Sequence, residues 1–135
     1  MLWDSNFALG VERIDQQHRA IIERIHRLDV ALNSSVTSVT LPRMHEAHDF
    51  LVGYVTEHFR EEEALMVEGN YPDLEQHIAQ HHAFEATLHK FRTDLDKSGL
   101  MSLAASQLVS YLSNWFISHI QIEDPKYLPY IKKQS

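Results

Sequence analysis

The 135-residue chain contains no cysteine, only four glycines and four prolines, and no long apolar run. Without cysteine there is no disulfide framework, no thiolate metal site and no cysteine nucleophile, and a reducing cytoplasm is the expected location. No apolar run approaches the ~18 residues that a membrane-spanning helix requires. The N-terminal residues MLWDSNFALG lack the basic region and apolar core of a secretion signal. We therefore expect neither a membrane segment nor a signal peptide.

Basic runs are also absent. The net charge is −7, with 12 Lys and Arg against 19 Asp and Glu, so nucleic acid is not an expected partner. Apolar residues make up 44% and charged residues 23%, which is ordinary for a globular protein. This composition and length predict one domain over residues 1–135. The unusual component is histidine, with ten residues.

Three breaks divide the chain into four long segments. A Ser- and Thr-rich stretch over 33–40 precedes Pro42, Gly69 precedes Pro72, and Gly99 follows a third segment. Glycine is typical just after a helix, and proline is typical of the first helical turn. These signals predict helices over roughly 12–33, 42–67, 73–97 and 101–123.

Within each segment the residues suited to a core recur at alternating steps of three and four, which is typical of helices packed in a bundle. The four stripes are Ile14, His18, Ile21, Ile25, Leu28 and Leu32; Met44, His48, Leu51, Val55, His58, Glu62 and Leu65; Leu74, His77, His81, Phe84, Leu88, Phe91 and Leu95; and Met101, Ala105, Leu108, Leu112, Trp115, His119 and Ile122. Four such helices with short connections predict an all-α, antiparallel up-down-up-down four-helix bundle. An N-terminal extended arm and a short C-terminal helical segment are expected to complete it.

Six polar residues at one level of the bundle occupy stripe positions where an apolar residue is expected: His18, His58, Glu62, His77, His81 and His119. Each lies ~6–14 Å from a helix end, and those ends coincide in an antiparallel bundle. Buried polar groups are costly unless something compensates them, and metal compensates all six at once. Pro125 disfavours the α conformation at Asp124, so the helix should end or unwind there and let this carboxylate turn back toward the others.

Other polar residues have simpler interpretations. His48 lies ~15 Å along its helix from His58 and is expected to be a histidine at the other end of the bundle. Glu61 and Glu63 are expected to form a solvated face. The histidines off the stripes are expected in solvent: His26, His45, His82 and His89. The tyrosines after the last stripe are expected to close the bundle end: Tyr127 and Tyr130.

Five imidazoles and two carboxylates exceed the four ligands of a tetrahedral zinc site. Two octahedral ions need about twelve positions. The five imidazoles fill five, two bridging carboxylates fill four, and a bridging oxygen atom fills two, which leaves one position open. Imidazole with bridging carboxylate favours redox-active iron or manganese.

The motifs Asp15-Gln16-Gln17-His18, His58-Phe59-Arg60-Glu61-Glu62, His77-x-x-x-His81 and Trp115-x-x-x-His119 with Asp124 resemble the hemerythrins, most closely the single-domain bacteriohemerythrins. The resemblance covers essentially the whole chain. It implies two iron ions, one held by His77, His81 and His119, the other held by His18 and His58. Glu62 and Asp124 would bridge them beside an oxo or hydroxo group.

The resemblance also implies that dioxygen binds the iron held by two histidines, in a pocket whose expected walls are Ile21, Phe59, Trp115 and Phe116. Phe116 stands where leucine is usual in the family. The function implied is non-enzymatic, reversible dioxygen binding for storage, delivery or sensing. A monomer is expected, and the identity of any oxygen-consuming partner protein stays open.

The alternative function is a diiron enzyme that reduces or activates dioxygen, peroxide or nitric oxide. Oxygen-activating bundles typically use Glu-x-x-His pairs, and none lies on the stripes of this chain. A third interpretation is a metal store or a zinc-stabilised signalling module. The surplus of ligands over four argues against zinc.

Overall fold

The computed structural model describes residues 3–33, 41–99 and 103–131. Within these ranges all regular structure is helical, as the sequence predicts. Four long helices, α1 to α4, span Glu12–Asn33, Leu41–Glu68, Leu74–Ser98 and Leu103–Ser118. A short 3-10 turn, Ser5–Phe7, precedes α1. After α4 come a π-helical turn, His119–Glu123, and a 3-10 helix, Asp124–Tyr130.

Consecutive helices pack on each other, and α4 closes the ring by packing on α1. This is the four-helix bundle that the stripes predict. None of the helices in the described ranges combines the length and apolar character needed to cross a membrane. Residues 34–40 of the predicted break over 33–40 lie outside the described residues, as does the stripe residue Met101.

Two apolar clusters fill the bundle. The larger one includes Ile21, Val55, Phe59, Phe84 and Phe116 among its buried members. The smaller one consists of buried Ile14, Met66, Tyr71 and Tyr127. In each of the four segments of the chain, the predicted metal ligands lie between a residue of the smaller cluster and one of the larger: between Ile14 and Ile21, Val55 and Met66, Tyr71 and Phe84, and Phe116 and Tyr127. The polar layer therefore has an apolar cluster on each side.

Two of the predicted helix breaks have a clear steric basis. Gly99 caps α3 with a φ of 69°, a conformation that glycine adopts without strain. Gly69, just after α2, lies under the C-terminal segment, and a Cβ at this position would be 1.9 Å from the Tyr130 carbonyl oxygen. Glycine is thus required where the chain folds back over the end of α2.

The prediction that the fourth stripe continues to Ile122 is wrong, because 57% of this residue is exposed. The α-helix ends at Ser118, and the Asp124 N–H donates to the His119 carbonyl across a turn of five residues. A π-helical turn contains one residue more than an α-helical turn. The extra residue shifts the register, so Ile122 turns outward and Asp124 turns inward.

Candidate metal centre

The structure brings all seven predicted ligands together, and none is more than 4% exposed: His18, His58, Glu62, His77, His81, His119 and Asp124. Their nitrogen and oxygen atoms form two groups, each within 4.8 Å. The three-histidine group contains His77, His81 and His119, and the two-histidine group contains His18 and His58. Glu62 and Asp124 belong to both groups, so the carboxylates lie between the two sets of imidazoles.

Glu62 turns a different oxygen to each group. Its Oε1 lies 3.0 Å from His81 Nε2 and 3.3 Å from His77 Nε2. Its Oε2 lies 3.4 Å from His58 Nε2 and 3.8 Å from His18 Nε2. This arrangement suits a carboxylate that bridges two ions.

Asp124 likewise turns one carboxylate oxygen to each group of histidines. Its Oδ1 lies 3.0 Å from His119 Nε2 and 3.1 Å from His77 Nε2, whereas its Oδ2 lies 3.2 Å from His18 Nε2. An α-helix would put Asp124 about 140° around the axis from His119. The π-helical turn removes most of that angle, and it is the local reason that this carboxylate reaches the site.

Several inner atoms of the site are buried without a hydrogen-bond partner among the described residues. They are Nε2 of His18, His58 and His81, and both carboxylate oxygens of Asp124. Buried polar atoms in native proteins are normally satisfied, because an unsatisfied one costs about 1–3 kcal/mol. Metal ions accept lone pairs from these atoms, and the donor set of imidazole nitrogen and carboxylate oxygen suits iron. The residues therefore fit a pair of metal ions.

The pKa values of the metal-free cluster show strong interactions between its histidines and carboxylates. Burial lowers the pKa values of His18 and His77, but the close carboxylates of Asp124 and Glu62 outweigh it and raise both pKa values to about 9. Burial raises the pKa values of the two carboxyls, yet the neighbouring histidines hold both below their ordinary values. The pKa of His58 is lowered, chiefly by burial. Metal binding must therefore displace protons from histidine.

The prediction that Glu63 belongs to a solvated face is wrong. Its side chain is only 12% exposed, and its Oε2 lies 2.6 Å from Nδ1 of His81. Arg60 lies 3.5 Å from the same oxygen and also pairs with Glu85. The carboxylate therefore supports the ring nitrogen that points away from the cluster.

Glu61 supports a second ligand histidine, His58, indirectly through Gln17. It accepts a hydrogen bond from Gln17 Nε2 at 2.6 Å, and Gln17 Oε1 lies 2.8 Å from Nδ1 of His58. Arg13 pairs with Glu61 through both its Nε and Nη2 atoms. Ligand histidines commonly use their second nitrogen in this way. That rule predicts that partners exist, but the register between helices is needed to identify them.

Tyr127, predicted to close the end of the bundle, also forms a hydrogen bond with a predicted metal ligand. Its side chain is fully buried and its O–H donates to Glu62 Oε2 at 2.8 Å. Burial and the charge of Glu62 raise the pKa of Tyr127, so the phenol stays protonated and remains a donor. Its ring contacts Tyr71, which in turn contacts Tyr130.

Three of the four residues predicted to line an oxygen pocket have rings that contact ligand histidines: Phe59, Trp115 and Phe116. Ile21, Phe59 and Phe116 are fully buried. The Phe116 ring meets His18 edge-on, with centroids 5.7 Å apart. Phe59 stacks on His81 at 3.8 Å and lies 5.8 Å from His58.

Trp115, the fourth predicted pocket residue, is only partly buried. It stacks on His119 at 4.6 Å and contacts Phe84 at 4.8 Å. These ring contacts place Trp115 beside the three-histidine group, whereas the predicted pocket adjoins the two-histidine group.

The other histidines lie outside the cluster. His48 is buried and its Nε2 donates to the Leu88 carbonyl at 2.8 Å, with its ring on Phe91. His45 was expected in solvent, but its Nε2 lies 2.6 Å from Asp96 Oδ1. Of the rest, two are exposed and one is half-buried: His82, His89 and His26.

A cleft of about 890 Å³ opens where the N-terminal arm, α1, α2 and the C-terminal segment meet. Apolar side chains form much of its wall, among them Leu9, Val11, Leu65 and Leu128. Gln17, Glu61 and Glu62 also line it. The cleft therefore reaches the outer partners of the two-histidine group.

Comparison with known proteins gives a consistent result. A family model described as the hemerythrin HHE cation binding domain matches residues 9–131. The chain is 33% identical over 132 residues to a bacteriohemerythrin of Stenotrophomonas maltophilia, covering 98% of this chain and 82% of the relative. It is 27% identical over 125 residues to a myohemerythrin of Theromyzon tessulatum, covering 93% of this chain and 88% of the relative.

Proposed function

The chain belongs to the hemerythrin family, and on that premise we propose that it binds dioxygen reversibly for storage, delivery or sensing. Proteins of this family bind oxygen at a non-haem diiron centre, and this chain has a His, Glu and Asp cluster able to hold the two ions. The assignment of the seven ligands to individual ions is part of the proposal.

The observation that carries the proposal is the unequal division of the ligands. The three-histidine group offers five residues, whereas the two-histidine group offers four, with both carboxylates shared. If Glu62 and Asp124 bridge, one further bridging oxygen completes six positions at the first ion and five at the second. The second ion then keeps one position for a small ligand.

Iron bound there supplies the open position and the electrons that dioxygen requires. The chain's own contribution is to exclude water and hold the ligands. The rings of Phe59 and Phe116 contact ligand histidines, and fully buried Ile21 belongs to the same apolar cluster, which supports a dry site. Such surroundings slow the entry of water and protons, which favours return of the bound gas over its reaction.

The proposal includes three finer points: the protein is not an enzyme, it is a monomer, and it acts in the cytoplasm. The histidine-rich ligand set supports the first, because oxygen-activating bundle sites are richer in carboxylates. The absence of cysteine is compatible with a reducing compartment. Size-exclusion chromatography with light scattering tests the monomer directly.

The test of function is an oxygenation cycle on the iron-loaded protein. The protein is reduced under argon, exposed to air, and followed by visible spectroscopy, then returned to vacuum. A coloured oxygenated form that disappears under vacuum and returns in air supports the proposal. Irreversible oxidation accompanied by turnover of peroxide or nitric oxide supports the enzyme instead, and absence of any coloured form excludes a diiron oxygen carrier.

A matched pair of variants assigns that signal to the cluster. His58→Ala removes a ligand of the two-histidine group and should abolish the oxygenated form. His82→Ala removes an exposed histidine of α3 and should leave it unchanged.

A further inference from the structure

One histidine in each ligand group has an outer hydrogen bond, and the two partners differ in charge: an amide for His58 and a carboxylate for His81. The Glu61 carboxylate is an acceptor only, and it accepts hydrogen bonds from Arg13 and from Gln17 Nε2. Gln17 must therefore turn its amide N–H toward Glu61, which leaves its oxygen toward His58. An amide oxygen only accepts, so the Nδ1 of His58 must carry a hydrogen. Its Nε2 then presents a lone pair to the cluster.

The partner of His81 is a carboxylate instead. His81 Nδ1 lies 2.6 Å from Glu63 Oε2, and a carboxylate also accepts only, so this Nδ1 donates as well. Hydrogen bonds to an ionised acceptor are about twice as strong as neutral ones. His81 in the three-histidine group is thus bonded to an anion, whereas His58 in the two-histidine group is bonded to a neutral amide.

We propose that Glu63 and Gln17 are positioning residues that make the two iron ions unequal, by raising the basicity of His81 more than that of His58. The inference rests on the proposed diiron function. An outer carboxylate raises the donor strength of a ligand imidazole, and a stronger donor stabilises the higher oxidation state of its metal. Ferric iron is therefore favoured in the three-histidine group, and the ion with the open position is the more easily kept ferrous.

The first experiment needs no metal. In the metal-free protein labelled with ¹⁵N-histidine, two-bond nitrogen–proton correlation spectra identify which ring nitrogen carries hydrogen. We expect hydrogen on Nδ1 of both His58 and His81. Gln17→Leu should reduce the fraction of His58 that carries hydrogen on Nδ1 without changing His81. Glu63→Ala should reduce that fraction for His81 without changing His58. An Nδ1 without hydrogen in the unaltered protein would overturn the inference.

The second experiment separates the charge of Glu63 from its hydrogen bond. Glu63→Gln keeps an acceptor oxygen but removes the charge. A tenfold loss of ferric relative to ferrous affinity corresponds to a rise of ~59 mV in a one-electron potential. We expect a rise of this order for Glu63→Gln and a fall for Gln17→Glu, in redox titrations of the iron-loaded protein.

The control is Glu46→Gln, which removes the same charge at an exposed position of α2 about 25 Å along the helix from Glu63. Its potential should stay within error of the unaltered protein. An equal shift for Glu63→Gln and Glu46→Gln would contradict a specific role. If the tautomers and potentials follow the expectation but dioxygen does not bind reversibly, only the proposed function fails.

Discussion

Tyr127 donates its phenolic hydrogen to Glu62 Oε2 at 2.8 Å, and this is the carboxylate oxygen that also faces His18 and His58. The two oxygens of Glu62 are therefore not equivalent, because Oε1 instead lies near His77 and His81. The hydrogen bond also attaches the C-terminal 3-10 helix to the cluster. Folding of that segment and assembly of the site are coupled through this contact.

Replacing Tyr127 with phenylalanine tests this coupling. A hydrogen bond to a charged group contributes about 1.5–3 kcal/mol, so Tyr127→Phe should lower the free energy of unfolding of the metal-free protein by roughly that amount. Urea denaturation followed by circular dichroism measures it. Tyr130→Phe is the control, since Tyr130 is 43% exposed. Equal stabilities for the two variants would refute an energetic role for the Tyr127 hydroxyl.

Removing one imidazole tests the assignment of the three-histidine group. His77→Ala deletes a neighbour of both Glu62 Oε1 and Asp124 Oδ1. The iron content should fall from two ions per chain toward one, and the metal-free protein should lose about 1–3 kcal/mol because buried Glu62 Oε1 loses a hydrogen-bond partner. Iron analysis by mass spectrometry and denaturation measure the two effects. Two ions per chain in His77→Ala would show that the ligand assignment is wrong.

The pKa shifts predict how the stability of the metal-free protein depends on pH. His18 and His77 have pKa values raised from 6.5 to about 9, so their stabilisation is full below pH 6.5 and is lost as the pH rises through about 9. Each unit of raised pKa corresponds to about 1.4 kcal/mol. The free energy of unfolding should therefore fall by more than that amount between pH 6.5 and 9.5, in urea titrations at constant salt.

The carboxyls act in the opposite direction. The pKa values of Glu62 and Asp124 lie below their ordinary 4.5 and 3.8, so their contribution is present above those values and disappears on acidification. Stability should be greatest between about pH 5 and 6.5. A metal-free protein equally stable from pH 6.5 to 9.5 would contradict the raised histidine pKa values.

Phe116 offers a test of the apolar surroundings. Its ring meets His18 edge-on, and Phe116→Leu would leave space beside the two-histidine group. The variant should lose about 1–2 kcal/mol of stability from reduced packing. Its oxygenated form should oxidise faster because water enters more readily, while the iron content stays at two ions per chain. Phe50→Leu, at a residue 55% exposed, is the control. A slower or unchanged oxidation rate in Phe116→Leu would count against the proposed pocket.

Much of the architecture follows from local rules. The steps of three and four residues place His18, His58 and His81 on the buried faces of three helices, and a constant rise per residue brings them to one level. Gly99 ends α3 where expected, because its positive φ disfavours a side chain. These features depend only on neighbours along the same helix.

The outer partners of the site depend on neighbours in other helices. Glu63 contacts a histidine 18 positions away, and Gln17 contacts one 41 positions away. Helical periodicity specifies the face on which a side chain lies but not the exact register between helices. For that reason the contacts of Glu61 and Glu63 with Gln17 and His81 cannot be predicted from the sequence.

The π-helical turn has a consequence for how this protein tolerates change. The inward orientation of Asp124 depends on the number of residues after His119, because the extra residue in the turn sets the register. Side chains such as exposed Gln121 and Ile122 have no part in it, so substitutions there leave the register intact. Loss or gain of one residue would rotate the carboxylate away, whatever the residue types. We therefore expect the loss or gain of one residue in this segment to disrupt the site more than a substitution at Gln121 or Ile122.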